Sequence, residues 1–187
     1  MNDSYYAMHE RIAPLLGVYA PRVWSSYPIE QTAIQAFCGA VEDSNPVYWD
    51  AEIAAASRFG RLIAPPHGLM SFNIDAWWLP EYLRHDVESA RHETAEAQIR
   101  GILAEYGFAT VTVVERAEEY FEPFGPEDGH IGRDRRVTDV SAVKKTKVGS
   151  GVFLTYEIDY FTQRKERRVA TARNVTLLYD GTKGDKQ

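Results

Sequence analysis

A chain of 187 residues is long enough for one domain with a substantial core, and its net charge of −6, from 21 basic against 27 acidic side chains, excludes the basic face that a nucleic-acid phosphate backbone requires. With 44 % hydrophobic and 26 % charged residues the composition is that of a globular protein, not of a disordered or fibrous one. The single cysteine, Cys38, excludes an intrachain disulfide and fits a reducing compartment. Met1-Asn-Asp-Ser lacks a basic leader start, and no apolar run approaches the roughly 20 residues of a membrane span. The expectation is therefore a cytoplasmic protein with neither nucleic acid nor membrane as partner.

Residues 1–20 read as an arm or short helix packed on the body, and Pro21 to Tyr27 as a first strand. Ile34, Phe37, Cys38 and Val41 recur at i, i+3, i+4 and i+7, one face of a helix, with Pro28 suited to its first turn and Cys38 placed as a buried thiol. The polar turn Asp43-Ser-Asn-Pro46 follows. Asp and Asn bond their own backbone and Pro46 forbids the helix from continuing. Asp50 is a cap for a helix from Ala51 to Phe59, with Gly60 ending it in the left-handed conformation. After the segment Leu62-Ile-Ala-Pro-Pro-His67, an apolar run from about Gly68 to Trp78, stopped by Pro80, predicts a long buried helix. Residues 82–106 have only a thin apolar stripe and a Glu96/Arg100 pair, which predicts a solvated helical excursion inserted into the domain.

The remainder reads as strands. Thr110 to Val114 is β-branched, residues 122–134 are a Gly/Pro loop, and Val137 to Lys147 is a further strand. Val152, Leu154, Tyr156, Ile158 and Tyr160 alternate with the residues between them, and Val169 to Leu178 alternates likewise. Gln163-Arg-Lys-Glu166 connects these two strands as a hairpin, and the tail 181–187 is polar and frayed. Taken together the pattern predicts one α+β domain over residues 1–187, an antiparallel sheet wrapped around a long central helix.

Ala40-Val-Glu-Asp-Ser-Asn-Pro-Val-Tyr-Trp-Asp50, with Ala55-Ala-Ser-Arg-Phe-Gly-Arg-Leu-Ile-Ala-Pro-Pro66 behind it, resembles the hotdog-fold acyl dehydratases of the MaoC type, and within them the FAS1-like or N-terminal dehydratase domain. Lys144 to Tyr156, Tyr160-Phe-Thr-Gln163 and Val169 to Asn174 carry the same resemblance, which covers about residues 20–180. It implies the hydration of trans-2-enoyl thioesters to (R)-3-hydroxyacyl thioesters, or the reverse dehydration. The thioester of coenzyme A or of an acyl carrier protein is then the substrate, and no further cofactor is called for. In active members the turn reads Asp-x-Asn-Pro-x-His. The Asp and His activate water for attack at C3, and a backbone N–H at the central helix's start meets the charge on the thioester oxygen. On this chain the resemblance places the catalytic acid at Asp43, turn residues at Asn45 and Pro46, the oxyanion donor at Gly68 and a polar helix residue near substrate at Ser71.

The base position, however, is Tyr48, and a phenol with a reference pKa of roughly 10 is a poor activator of water. The family includes subunits that lack the His and pair with a small hotdog chain that carries it, so the resemblance implies a heteromeric hydratase in which this chain shapes the acyl tunnel. The alternatives are a homodimeric lyase using Asp43 with another base, for which His67 is the candidate, and a non-enzymatic acyl-thioester binding module. Each site residue also has a plainer reading: Asp43 and Asn45 as turn formers, Tyr48 as a packed tyrosine, His67 as a helix-entry residue. His130 has only its residue type to recommend it, and His85 and His92 sit on the polar helix. No His/Asp/Glu grouping has metal-ligand spacing. The clusters Arg133/Arg135/Arg136 and Lys144/Lys145/Lys147 read as solvated edges, with coenzyme A phosphates as the alternative occupant.

Overall fold

The architecture was read from a computed structural model, which describes residues 3–75, 78, 80–81 and 94–181. A six-stranded antiparallel sheet forms the body: β1 (Val23–Trp24), β2 (Thr110–Tyr120), β3 (Ile131–Val140), β4 (Lys144–Thr146), β5 (Gly149–Thr162) and β6 (Arg168–Tyr179), in the order β1-β3-β5-β6-β2 with β4 paired to β5. Helices α1 (Asp3–Ile12), α2 (Gln31–Ala40), α3 (Ala51–Ala56), α4 (Leu69–Phe72) and α5 (Ala95–Glu105) make the second layer. Between the layers lies one apolar core built from both, with Met8, Ile12, Ile34, Leu69, Ile99 and Leu103 fully buried against Val137, Val152 and Leu154.

The alternation expected along β5 is present. Val152, Leu154, Tyr156, Ile158 and Tyr160 are buried and face the helices, while the residues between them, apart from buried Thr155, are half-buried. Registers carry that face across the sheet: Tyr156 pairs with Val137 and Asn174, Ile158 with Arg135 and Ala172, Tyr160 with Arg133 and Ala170. Two strands exceed expectation. β2 runs on to Tyr120, and β3 begins at Ile131, inside the segment expected to be loop. Gly132 belongs to that strand because Trp24 packs over it; a Cβ there would stand 2.7 Å from the indole ring. The first strand, by contrast, is only Val23–Trp24, and α2 starts at Gln31, beyond Pro28.

The largest correction concerns the central helix. From Gly68 the expected run to Trp78 yields only α4, entered through a 3-10 turn Pro66–Gly68 and finished at Phe72. Asn73 is captured by the sheet. Its Nδ2 donates to Ile131 O at 2.8 Å, and Arg133 Nη1 donates to its carbonyl at 3.0 Å and its Oδ1 at 2.7 Å. Arg133 Nη2 also donates to Asp75 Oδ2 at 2.9 Å, and Ser26 N donates to Ile74 O at 3.3 Å. A carbonyl held by a guanidinium is not available to the next helical turn, so the chain leaves the helix there. Ala76, Trp77, Leu79 and residues 82–93, with His85 and His92, lie outside the described residues, as do residues 182–187 of the expected frayed tail.

Residues 94–106 are also not the solvated excursion that was expected. Thr94 caps α5 through Ala97 N at 3.2 Å, the Glu96–Arg100 pair forms at 2.8 Å, and the helix buries Ile99 and Leu103 completely. Each such side chain contributes roughly 2 kcal/mol by removal from water. Arg11 of α1 clasps Glu105 at 2.6 Å, joining the N-terminal helix to α5.

Below the sheet's far end, Asp128 ties three loops together while itself 1 % exposed. It accepts from Gly125 N at 2.9 Å and from Arg61 Nη1 at 2.7 Å, and Lys165 lies 3.4 Å away. Removing one partner of such a cluster leaves an uncompensated half-buried charge. Asp128→Ala is therefore expected to lower the unfolding free energy by about 3 kcal/mol, seen as a reduced urea midpoint with an unchanged slope. A loss below about 1 kcal/mol would show that the cluster does not hold the loops.

Candidate active-site turn and the sheet face beside it

The turn after α2 is specified by local bonds. Glu42 takes the left-handed conformation, φ 57°, and Asp43 N reaches back to Cys38 O at 2.9 Å, a helix end of Schellman type without the usual glycine. A non-glycine residue there is strained by about 1 kcal/mol, which the following bonds offset. Asp43 Oδ1 accepts from Asn45 N at 3.0 Å, Asn45 Oδ1 from Val47 N at 3.4 Å, and Trp49 Nε1 donates to Asp43 O at 2.8 Å. Asp50 Oδ1 then caps α3 through Glu52 N and Ile53 N at 2.8 and 3.0 Å, as expected. α3 stops at Ala56, short of Phe59, and Gly60 does adopt φ 65°.

Asp43 is half-buried and borders a groove of about 400 Å³ between the end of α2 and the turn, beside Cys38, Glu42, Pro46 and Trp49. Tyr48 does not share it. That side chain is 8 % exposed and belongs to the core. Burial, and then the nearby Asp43 carboxylate, push the Tyr48 phenol above its ordinary value of 10.0, so at neutral pH it is a fixed hydroxyl. Burial likewise raises the Cys38 thiol, which fits an inert buried cysteine.

His67 is exposed at the entry to α4, its ring 5.3 Å from that of Phe37. Among the described residues no hydrogen bond joins Asp43, Tyr48 and His67. Gly68 is buried, and a Cβ there would lie 2.7 Å from the Phe72 ring and 3.1 Å from Phe37, so packing demands the glycine. Its N–H donates to Pro65 O at 3.0 Å and is already engaged. Ser71 is exposed on α4, and His130 Nδ1 donates to Ser25 O at 2.8 Å, a structural bond. Thus the turn keeps its shape, with Asp43 on the groove and Tyr48 near it but turned into the core, while His67 and Ser71 stand exposed at and on α4.

The arginines that read as a solvated edge are distributed otherwise. Arg133 and Arg135 point inward from β3. Arg135 donates to Glu96 Oε1 at 2.8 Å and lies 4.0 Å over the Tyr156 ring, while Arg136 turns outward to Glu157 at 2.7 Å. Beside them Arg116 of β2 donates to Tyr160 OH at 3.1 Å and to Asn174 Oδ1 at 3.0 Å. This inner polar cluster was missed in the sequence; the signal was the phase of β5, which, carried over to its neighbours, puts Arg133, Arg135 and Asn174 on the buried side. Lys144, Lys145 and Lys147 engage in no ion pair among the described residues, as a solvated edge would have it. Among the described residues no group of three His, Cys, Asp or Glu is placed to hold a metal, and no helix is long and apolar enough to cross a membrane.

The model for the FAS1-like dehydratase domain region matches residues 18–172. A probable enoyl-CoA hydratase alpha subunit from Thermomonospora curvata is 31 % identical over 146 residues, which is 78 % of this chain and 43 % of that protein; the chain thus spans less than half the length of the curated relative. Among solved structures, the ChsH1-ChsH2 complex from Mycobacterium tuberculosis superposes with a TM-score of 0.77 at 19 % identity, over 94 % of this chain and 93 % of the other. The (R)-hydratase from A. caviae gives 0.51 at 18 % identity, over 87 % and 96 %. The HadBC (3R-hydroxyacyl-ACP dehydratase) complex from Mycobacterium tuberculosis gives 0.53 at 13 % identity, again over 87 % and 96 %. These likenesses establish the hotdog fold.

The state of Tyr48 has a measurable consequence. A phenol whose folded pKa is raised stabilises the fold below its unfolded pKa and loses that contribution as pH rises through the folded value. Between pH 9 and 11.5 the melting temperature should therefore fall less steeply in Tyr48→Phe than in the parent, the two curves diverging above about pH 10. Parallel curves would mean that Tyr48 ionises freely. With its Asp-x-Asn-Pro turn, its sheet and its matched residues 18–172, the chain belongs to the FAS1-like dehydratase domain family, of the MaoC-like hotdog fold.

Proposed function

We propose that the chain is a subunit of an (R)-specific enoyl-CoA hydratase, supplying the acyl-binding half while a partner hotdog chain supplies the base. The observation that carries this is Tyr48. Hydration puts a hydroxyl on C3 and a proton on C2, and needs a group that accepts a proton from water near pH 7. A buried phenol pushed above 10.0 is tuned in the opposite direction. Of the two acids on the groove, Glu42 and Asp43, the turn's Asp43 has its Oδ1 given to Asn45 N, and among the described residues no imidazole is bonded to it that could form a dyad.

A place for a partner is offered by β2. It is the last strand of the sheet, eleven residues long, with one side of its backbone unpaired among the described residues and Val111, Val113 and Val114 exposed. A long free edge rich in valine is a hazard unless covered, and an antiparallel strand of a second hotdog chain covers it by continuing the ladder. The likeness to the ChsH1-ChsH2 and HadBC complexes supports a two-chain arrangement.

The isolated chain is expected to hydrate trans-2-enoyl-CoA with kcat/KM at least about 100-fold below that of its complex with a hotdog partner bearing Asp-x-Asn-Pro-x-His, the span that general acid–base groups supply. Full activity of the isolated chain would refute the assignment. Val113→Asp, at a position 66 % exposed, should leave the melting temperature almost unchanged and abolish co-purification of the partner. A complex that survives this change would place the partner elsewhere.

A further inference from the structure

We propose that the polar cluster on the inner face of the sheet is a subsite for a neutral oxygen function, a keto or hydroxyl group, on the far part of the acyl chain. The proposal rests on the acyl-thioester reading above and names its substrate class. The site is a cavity of about 200 Å³ between α4 and the sheet, with Met70 and Asn73 on the helix side and Arg116, Tyr160 and Asn174 on the strand side. A water molecule occupies about 30 Å³ in the liquid, so the space holds a polar group with a few carbons attached.

Several independent features point to a ligand. These positions are core positions by register, where apolar side chains pack more cheaply than hydrogen-bonding ones. Tyr160 and Asn174 are each 3 % exposed, yet they present a hydroxyl and an amide to the cavity, bridged by the Arg116 guanidinium. Finally, the helix that would roof this face stops at Phe72, because Arg133 holds Asn73 and Asp75.

The charges decide which oxygen. Three guanidiniums line the cavity, and each already has a carboxylate: Arg116 with Glu118, Arg133 with Asp75, Arg135 with Glu96. A carboxylate ligand would add an unbalanced negative charge to a balanced set, whereas a carbonyl or hydroxyl accepts from the Arg116 and Tyr160 donors at no charge cost.

The test is calorimetric titration of the chain as isolated, with any subunit that accompanies it, against three saturated coenzyme A thioesters of equal length. One carries a plain alkyl chain, one a keto group near the far end, and one a terminal carboxylate. The keto thioester is expected to bind at least about fivefold tighter than the plain one, the worth of one good hydrogen bond. Tyr160→Phe should cut that preference to about twofold or less while leaving the plain thioester's affinity unchanged. Equal binding of plain and keto thioesters, a preference untouched by Tyr160→Phe, or tighter binding of the carboxylate would each overturn the proposal while leaving the acyl-thioester reading intact. Binding of none of the three would overturn both.

Discussion

The hold of Arg133 on Asn73 and Asp75 is the constraint from which the rest of the molecule follows. Sixty residues separate Arg133 from Asn73, and three hydrogen bonds of 2.7 to 3.0 Å join Arg133 to the Asn73–Asp75 stretch. They convert an apolar sequence that would continue as a helix into a single turn, α4, followed by chain fastened to β3 and to Ser26 just beyond β1. In consequence the core is closed mainly by α5 and α1, which meet through Arg11 and Glu105. The middle of the concave face keeps arginine, tyrosine and asparagine side chains that a continuous helix would have displaced. A device that ends a helix thereby also makes a cavity.

The turn at Asp43 stands in an analogous relation to chemistry. Its shape depends on bonds within a few residues: Asp43 to Asn45, Asn45 to Val47, Trp49 back to Asp43, Asp50 into α3. None of these bonds requires a base at residue 48, so the scaffold persists whether or not catalysis is local. Tyr48 has instead been drawn into the core, and the energetic gain of burying an aromatic ring replaces whatever an imidazole would have done at the surface. On the heteromeric proposal, the exposed β2 edge and the turn without a histidine are two features that one second chain would complete.

How much of this was legible in the sequence depends on the range of the bond involved. The Asp43 turn, the Asp50 cap and the left-handed Gly60 are local and were read directly. The β5 alternation was equally legible, because a period of two over ten residues is hard to produce otherwise. What failed was set by contacts distant in sequence. The helix expected to Trp78 is ended by Arg133, which no window around residue 73 contains. The thin stripe of α5 reads as a solvated excursion; its burial depends on α1, some ninety residues earlier. β3 was begun too late because Gly129 and Gly132 resemble loop, although Gly132 is there to admit Trp24. At the candidate site the turn residues were found and the inner polar cluster was not, since arginines on a strand read as solvated until their register is known.

On the heteromeric reading, the reacting carbon of the substrate lies against a base carried by the partner, with this chain holding the acyl group. A crystal structure of the two-chain complex with a non-reactive 3-hydroxyacyl thioester analogue tests it most directly. The C3 oxygen is expected within hydrogen-bond reach of a histidine of the second chain, with no contact to Tyr48 or His67 of this one. A C3 oxygen bonded to His67 or Tyr48, with no second-chain base nearby, would contradict it.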